Sequence, residues 1–166
     1  MVEQVAPGPE DRPLTQAEVE LAASVFGDAI DYSPVRIHRR KWFLFQPRNV
    51  AMAPCGHIHF HPKGSQHSGD FAADLPWRQA LFIHEMTHVW QAQTRGRYYL
   101  PLMRHPFCRY DYALKPGQKF ELYGLEQQAE IVKHAFMLRE GHAVSAAPPL
   151  EQYRTLVPFG PWRRRG

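Results

Sequence analysis

His84-Glu85-Met86-Thr87-His88 is the stretch on which the reading of this chain turns. On an α-helix, residues four apart lie on one face, a turn above each other. His84 and His88 would therefore present two imidazoles to a single ion. Glu85 would stand beside the open coordination position, where its carboxylate can take a proton from water. A catalytic zinc needs three protein ligands and that open position. With 10 histidines in 166 residues, chance alone yields such a motif in roughly 4% of chains of this composition, so context decides. Leu81, Met86, Val89 and Trp90 place apolar faces around the ligand face. Residues 75–93 read as a helix, with Asp74 as its cap, Pro76 in its first turn and Gly96 as its stop.

The third ligand has to come from elsewhere in the chain. A second helix, from about Leu125 to Arg139, sets Leu125, Ala129, Val132 and Phe136 in a core stripe. Glu126 and Glu130 stand one turn apart on the adjacent face. Carboxylates at the edge of a core are costly unless paired or bound to metal. Glu126 is the candidate ligand. Glu130 is the candidate support, accepting a hydrogen bond from a ligand histidine and fixing its tautomer. The reverse assignment of the two glutamates stays open. His134, a turn further on, is another candidate for ligand or oxyanion donor. Lys133 and Arg139 share this side, so the bland alternative is a solvated face.

Working outward, Thr15 and Glu18 form a capping box ahead of Val19, Ala22, Phe26 and Ile30, so residues 16–29 read as an amphipathic helix ended by Ser33-Pro34. Residues 35–38, 42–45 and 50–53 are short strand candidates. His57-Ile58-His59-Phe60-His61 alternates strictly, as a half-buried strand does. Its three histidines share a face, and a second metal site there is an alternative to solvent exposure. Residues 65–74 read as a polar loop. Residues 97–121 read as irregular structure over the site. The expected fold is α+β: a compact domain over 14–145, with a small, mostly antiparallel sheet, a motif-bearing helix and a glutamate-bearing helix. Residues 1–13 read as a flexible arm, and 146–166 as an extended Pro/Arg-rich tail with one helical turn at 150–156. For an oxyanion donor, Tyr98, Tyr99, Tyr110, Tyr112 and Tyr123 are all candidates. Trp42, Trp77 and Trp90 read as core.

Composition excludes several classes. Hydrophobic residues make up 44% of the chain and charged ones 22%, which argues against disorder and coiled coil. No stretch approaches a membrane span and no secretory leader is visible, so the chain reads as cytoplasmic or exported by a signal-independent route. The net charge of +4 is mild. Its basic clusters, Arg36 to Lys41 and Arg163 to Arg165, carry no nucleic-acid motif; a nucleic-acid or membrane-surface role is the last-ranked reading. Cys55 and Cys108 read as free thiols.

The two helices together, His84 to His88 and Leu125-Glu126-Gln127-Gln128-Ala129-Glu130, resemble the gluzincin-type zinc metallopeptidases. In many of these the second helix reads Glu-x-x-Ala-Asp; here Glu130 stands at the position of the Asp. With Val35-Arg36-Ile37-His38, Gly56-His57-Ile58-His59-Phe60 and Val89-Trp90-Gln91, residues 35–138 look like the small zincin domain found near contractile-injection (Vgr- and Rhs-associated) proteins. The resemblance implies a zinc ion held by His84, His88 and Glu126, with Glu85 as general base, acting on a peptide or protein substrate. It also implies an edge strand that holds extended substrate by strand addition, for which 57–61 is the candidate by order. The rival expectation is a zincin-like structural or interaction module that associates with secretion-system components and retains zinc only for stability.

Overall fold

A computed structural model describes residues 10–104 and 108–160. The arm's first nine residues and the Arg163 to Arg165 cluster lie outside them. The fold is α+β. Its sheet runs in the order β1 (Asp11–Pro13), β2 (Arg36–His38), β3 (Ile58–His59). Among the described residues there are five α-helices: α1 (Gln16–Phe26), α2 (Pro76–Arg95), α3 (Tyr99–Met103), α4 (Leu125–Arg139) and α5 (Leu150–Leu156).

Part of the expected arm is structured. Residues Asp11 to Pro13 pair antiparallel with β2. Arg12 is buried and held bidentately by Glu18, with both N···O distances 2.8 Å. Glu18 also closes the capping box with Thr15 and accepts from the Phe71 amide at 2.9 Å. One carboxylate thus fastens α1 to β1 and to the 3-10 turn Phe71–Ala73, which lies within the segment read as a polar loop. α1 stops at Phe26 rather than near residue 29, because Gly27 takes a φ of 59°, a conformation that favours glycine.

The sheet is smaller and more mixed than the sequence suggests. β3 pairs parallel with β2, and the long crossover that a parallel pair needs is supplied by residues 39–57. Residues 50–53 contribute only a bridge, Met52 to His59. Residues 42–45 form no strand and lie exposed. The alternation at 57–61 holds: Ile58 and Phe60 are buried. The outer side of β3 is already occupied, since His59 and Met52 exchange both backbone bonds, at 2.7 and 3.0 Å. Segment 50–53, not 57–61, is therefore the outermost backbone here.

A ladder of stacked rings, Phe60–Phe71 at 5.3 Å and Phe71–Phe82 at 5.5 Å, ties β3 to α2. α2 begins at Pro76, with Leu75 rather than Asp74 in the capping position. Asp74 instead pairs with Arg78 at 2.8 Å. From Phe82 to Ala92 every residue of α2 is buried, so its polar side chains depend chiefly on partners within the protein. α4 packs along it as its principal neighbour, through Ala129, Val132 and Phe136. The helical turn expected at 150–156 is α5; it buries Tyr153, and Phe159 sits 4.8 Å, ring to ring, from both Phe26 and Trp90, so this part of the tail packs on the core. Of the tryptophans read as core, Trp90 is buried, whereas Trp42 and Trp77 are exposed.

Candidate metal centre

The buried contact between α2 and α4 brings His84, His88 and Glu126 together, with one ligand atom from each lying within 4.8 Å of the others. Glu126 Oε2 stands 3.3 Å from His84 Nε2 and 3.2 Å from His88 Nε2. A tetrahedral ion with bonds of about 2.0–2.1 Å sets its donors roughly 3.3 Å apart, so these spacings fit one. All three side chains are less than a tenth exposed.

Gln91 Nε2 donates to Leu125 O at 3.0 Å and to Gln128 Oε1 at 2.9 Å. Both its protons are spent, so Gln91 Oε1 must accept from His88 Nδ1, at 2.8 Å. That fixes the His88 tautomer and leaves a bare lone pair on Nε2, facing the Glu126 carboxylate. His84 is treated alike: its Nδ1 lies 2.9 Å from Glu130 Oε1. Lone pairs aimed at a carboxylate in a buried site call for a cation between them. Without a metal, a proton fills that need. Burial alone would lower the pKa of His84, but the Glu126 and Glu130 carboxylates overcome it and raise it to about 9. Against the desolvation of their own burial, both glutamates are held below the usual carboxylate range by His84, with His88 adding to the effect on Glu126 and Lys133 to that on Glu130.

Glu85 is buried, and its Oε2 has no hydrogen-bond partner. With His84, Arg104, Tyr110, Trp77 and residues 49–51 it lines a cavity of about 330 Å³. Tyr110 lies nearly parallel to the His84 ring at 6.4 Å, and its hydroxyl accepts from Arg104 at 3.3 Å. Burial first, then the Glu126 charge, raises the Tyr110 pKa. Arg104 also approaches Glu126 Oε1 at 3.0 Å. A larger depression of about 920 Å³, lined by Leu114 to Tyr123 and α5, holds no histidine and lies away from this cluster.

Other sequence candidates fall elsewhere. His134 Nε2 is 3.4 Å from Glu130 Oε2, so it touches the support rather than the three donors. Tyr112 bonds His134 and Tyr153. The Tyr123 hydroxyl accepts from the Lys115 amide. Tyr98 and Tyr99 lie against Arg97 and Arg95. Among the described residues, His57, His59 and His61 make no group with metal-ligand spacing; His59 stacks on His38 at 4.6 Å, and burial lowers its pKa to about 4. Among the described residues, His84, His88 and Glu126 form the group with metal-ligand spacing. Cys55 is a free thiol. Sequence reasoning missed Gln91 and Arg104 as members of this site. Gln91 is three residues from His88, a spacing that shares a helix face, and could have been found. Arg104 follows a short helix outside any motif, and nothing in the sequence announces it.

No family model matches this chain. Over 135 residues it is 41% identical to the type VI secretion system spike protein VgrG2b of Pseudomonas aeruginosa; the match covers 76% of this chain and 13% of that much longer protein. Among solved structures, the effector domain of Pseudomonas aeruginosa VgrG2b superposes with a TM-score of 0.68 at 36% identity, covering 80% of this chain and 79% of that one. With the fold shared over four-fifths of both chains at that identity, the chain belongs to the family of the VgrG2b effector domain.

Proposed function

We propose that this protein is a zinc-dependent hydrolase, a metallopeptidase that cleaves a peptide bond. One observation carries the reading: two imidazole nitrogens and a carboxylate oxygen converge in a buried site beside Glu85, which has an unpartnered oxygen. Structural zinc sites are closed by a fourth protein ligand and need no base; the described residues offer three ligands and a carboxylate. A zinc ion held there would act as a Lewis acid and bring water within reach of ionisation near neutral pH. Glu85 takes the proton of the attacking water and returns it to the leaving amine. Arg104 and Tyr110, facing the same cavity, donate to the oxygen that gains charge. Glu130 and Gln91 hold the two imidazoles in register. Segment 49–51, along the cavity wall, offers the backbone against which an extended substrate lies.

The test has two parts. Purified protein should carry near-stoichiometric zinc, and His84→Ala should lose it. Glu85→Gln should keep the metal and lose cleavage of a peptide-library substrate by about 100-fold or more. A Glu85→Gln protein that cleaves as fast as the parent rules out the proposed base.

A second reading is favoured by the comparisons themselves: a secretion-associated module that binds metal without catalysing hydrolysis. The relative's description as a spike protein supports association of this chain with secretion-system components under either reading. If neither the parent nor Glu85→Gln cleaves any peptide while both hold metal, the second reading stands.

A further inference from the structure

Residues 42–45, Trp-Phe-Leu-Phe, present large apolar side chains to solvent. Trp42 is 41% exposed, Phe43 40%, Leu44 72% and Phe45 81%. The exposure is built in rather than a failure to pack. Gln46, buried directly beneath, accepts from the Trp42 amide at 2.8 Å and donates to Val50 O and His59 O. Its own amide bonds Phe43 O at 3.1 Å, and Lys41 Nζ donates to Leu44 O at 2.9 Å. The turn is thus tied to the sheet by its backbone while its side chains point outward.

Charge gathers around it. Between Tyr32 and Gly69 the chain has six cations (Arg36, Arg39, Arg40, Lys41, Arg48 and Lys63) and no Asp or Glu. Gly64 packs against the Arg48 carbonyl, bringing Lys63 alongside. Partial desolvation and the charges of Lys41, Arg48 and Lys63 together lower the His61 pKa, which marks these three as one cluster. Among the described residues, no carboxylate forms an ion pair with any of the three. Protruding aromatic and aliphatic tips ringed by unneutralised cations match the water–lipid boundary of an anionic leaflet. There the rings seat at headgroup level and each cation gains from the surface potential.

We propose that the 42–45 turn, with Lys41, Arg48 and Lys63, docks this domain on an anionic lipid bilayer. Asn49, Val50 and Ala51 follow the turn and line the cavity over Glu85, so docking would bring the mouth of the metal centre to the membrane surface. The docking itself needs no catalysis.

Flotation of the full chain with phosphatidylglycerol–phosphatidylcholine vesicles, against phosphatidylcholine alone, is the experiment. Binding should favour the anionic vesicles and weaken steeply with salt. Replacing Phe43, Leu44 and Phe45 by Ser leaves every charge, including the C-terminal arginines, in place; it should cut partitioning at least tenfold with the melting temperature unchanged. Substituting Lys41, Arg48 and Lys63 singly by Ser should each lower it by about fivefold. Absence of binding to anionic vesicles at low salt overturns the proposal, as does a triple variant that binds like the parent. So does a dimer, seen by light scattering, that the triple variant abolishes without any vesicle binding, because a second copy would then cover the turn.

Discussion

Gln91 shows how much a single residue outside the ligand set can decide. Its two donated hydrogen bonds leave only its oxygen for His88, and that choice aims the His88 lone pair at Glu126. Gln91→Ala should therefore weaken zinc binding by about 10–100-fold while leaving the ligands in place, as read by competition with a chromogenic chelator. An unchanged affinity would mean that the helix backbone alone orients the ring. His84 makes a complementary prediction. Its pKa of about 9 in the metal-free protein means that it carries a proton at neutral pH. Metal uptake at pH 7 must displace that proton. Calorimetry in buffers of different ionisation enthalpy should therefore report net proton release.

At the scale of elements, fasteners between helices matter more than the small sheet. Glu18 neutralises the buried Arg12 and joins three segments. Glu18→Ala leaves that guanidinium unpaired, and the loss should be about 3–5 kcal/mol in denaturant unfolding. Phe159, beyond α5, closes the core between Phe26 and Trp90. Phe159→Ala should cost about 3–5 kcal/mol by the same measurement. A loss below about 1 kcal/mol would show that Phe159 contributes little to the core. In each case the metal centre lies on other elements, so the variants should still bind zinc when folded.

For the whole molecule, the metal centre links stability to pH. The His84 pKa rises from 6.5 in the unfolded chain to about 9 in the folded, metal-free protein. A raised pKa contributes stability that is complete below the unfolded value and is lost as pH climbs through the folded one. The metal-free melting temperature should therefore fall between about pH 6.5 and 9 on this account. Bound metal needs His84 deprotonated, so the melting-temperature gain on adding zinc should widen over the same interval. Thermal unfolding with and without chelator across that range reads both trends. A metal-free protein with a flat profile would mean that His84 is not charged against the glutamates.

The sequence alone determined the two long helices and which of their faces matter, because helical periodicity is local and each face can be counted along the chain. It also marked Ile58 and Phe60 as buried, since strand alternation is local too. The three-dimensional arrangement decided the rest. Which glutamate meets both imidazoles depends on how α4 packs on α2, and which carboxamide fixes His88 depends on partners 34 and 37 residues away. Arg104 joins the centre only through the path of the chain after α3. Residues 42–45 have the composition of a strand but lie exposed, because Gln46 ties their backbone into a turn that no periodicity reveals. The HExxH stretch named a candidate pair of ligands. Only the tertiary packing brought Glu126 within reach of both and placed the three in a buried site.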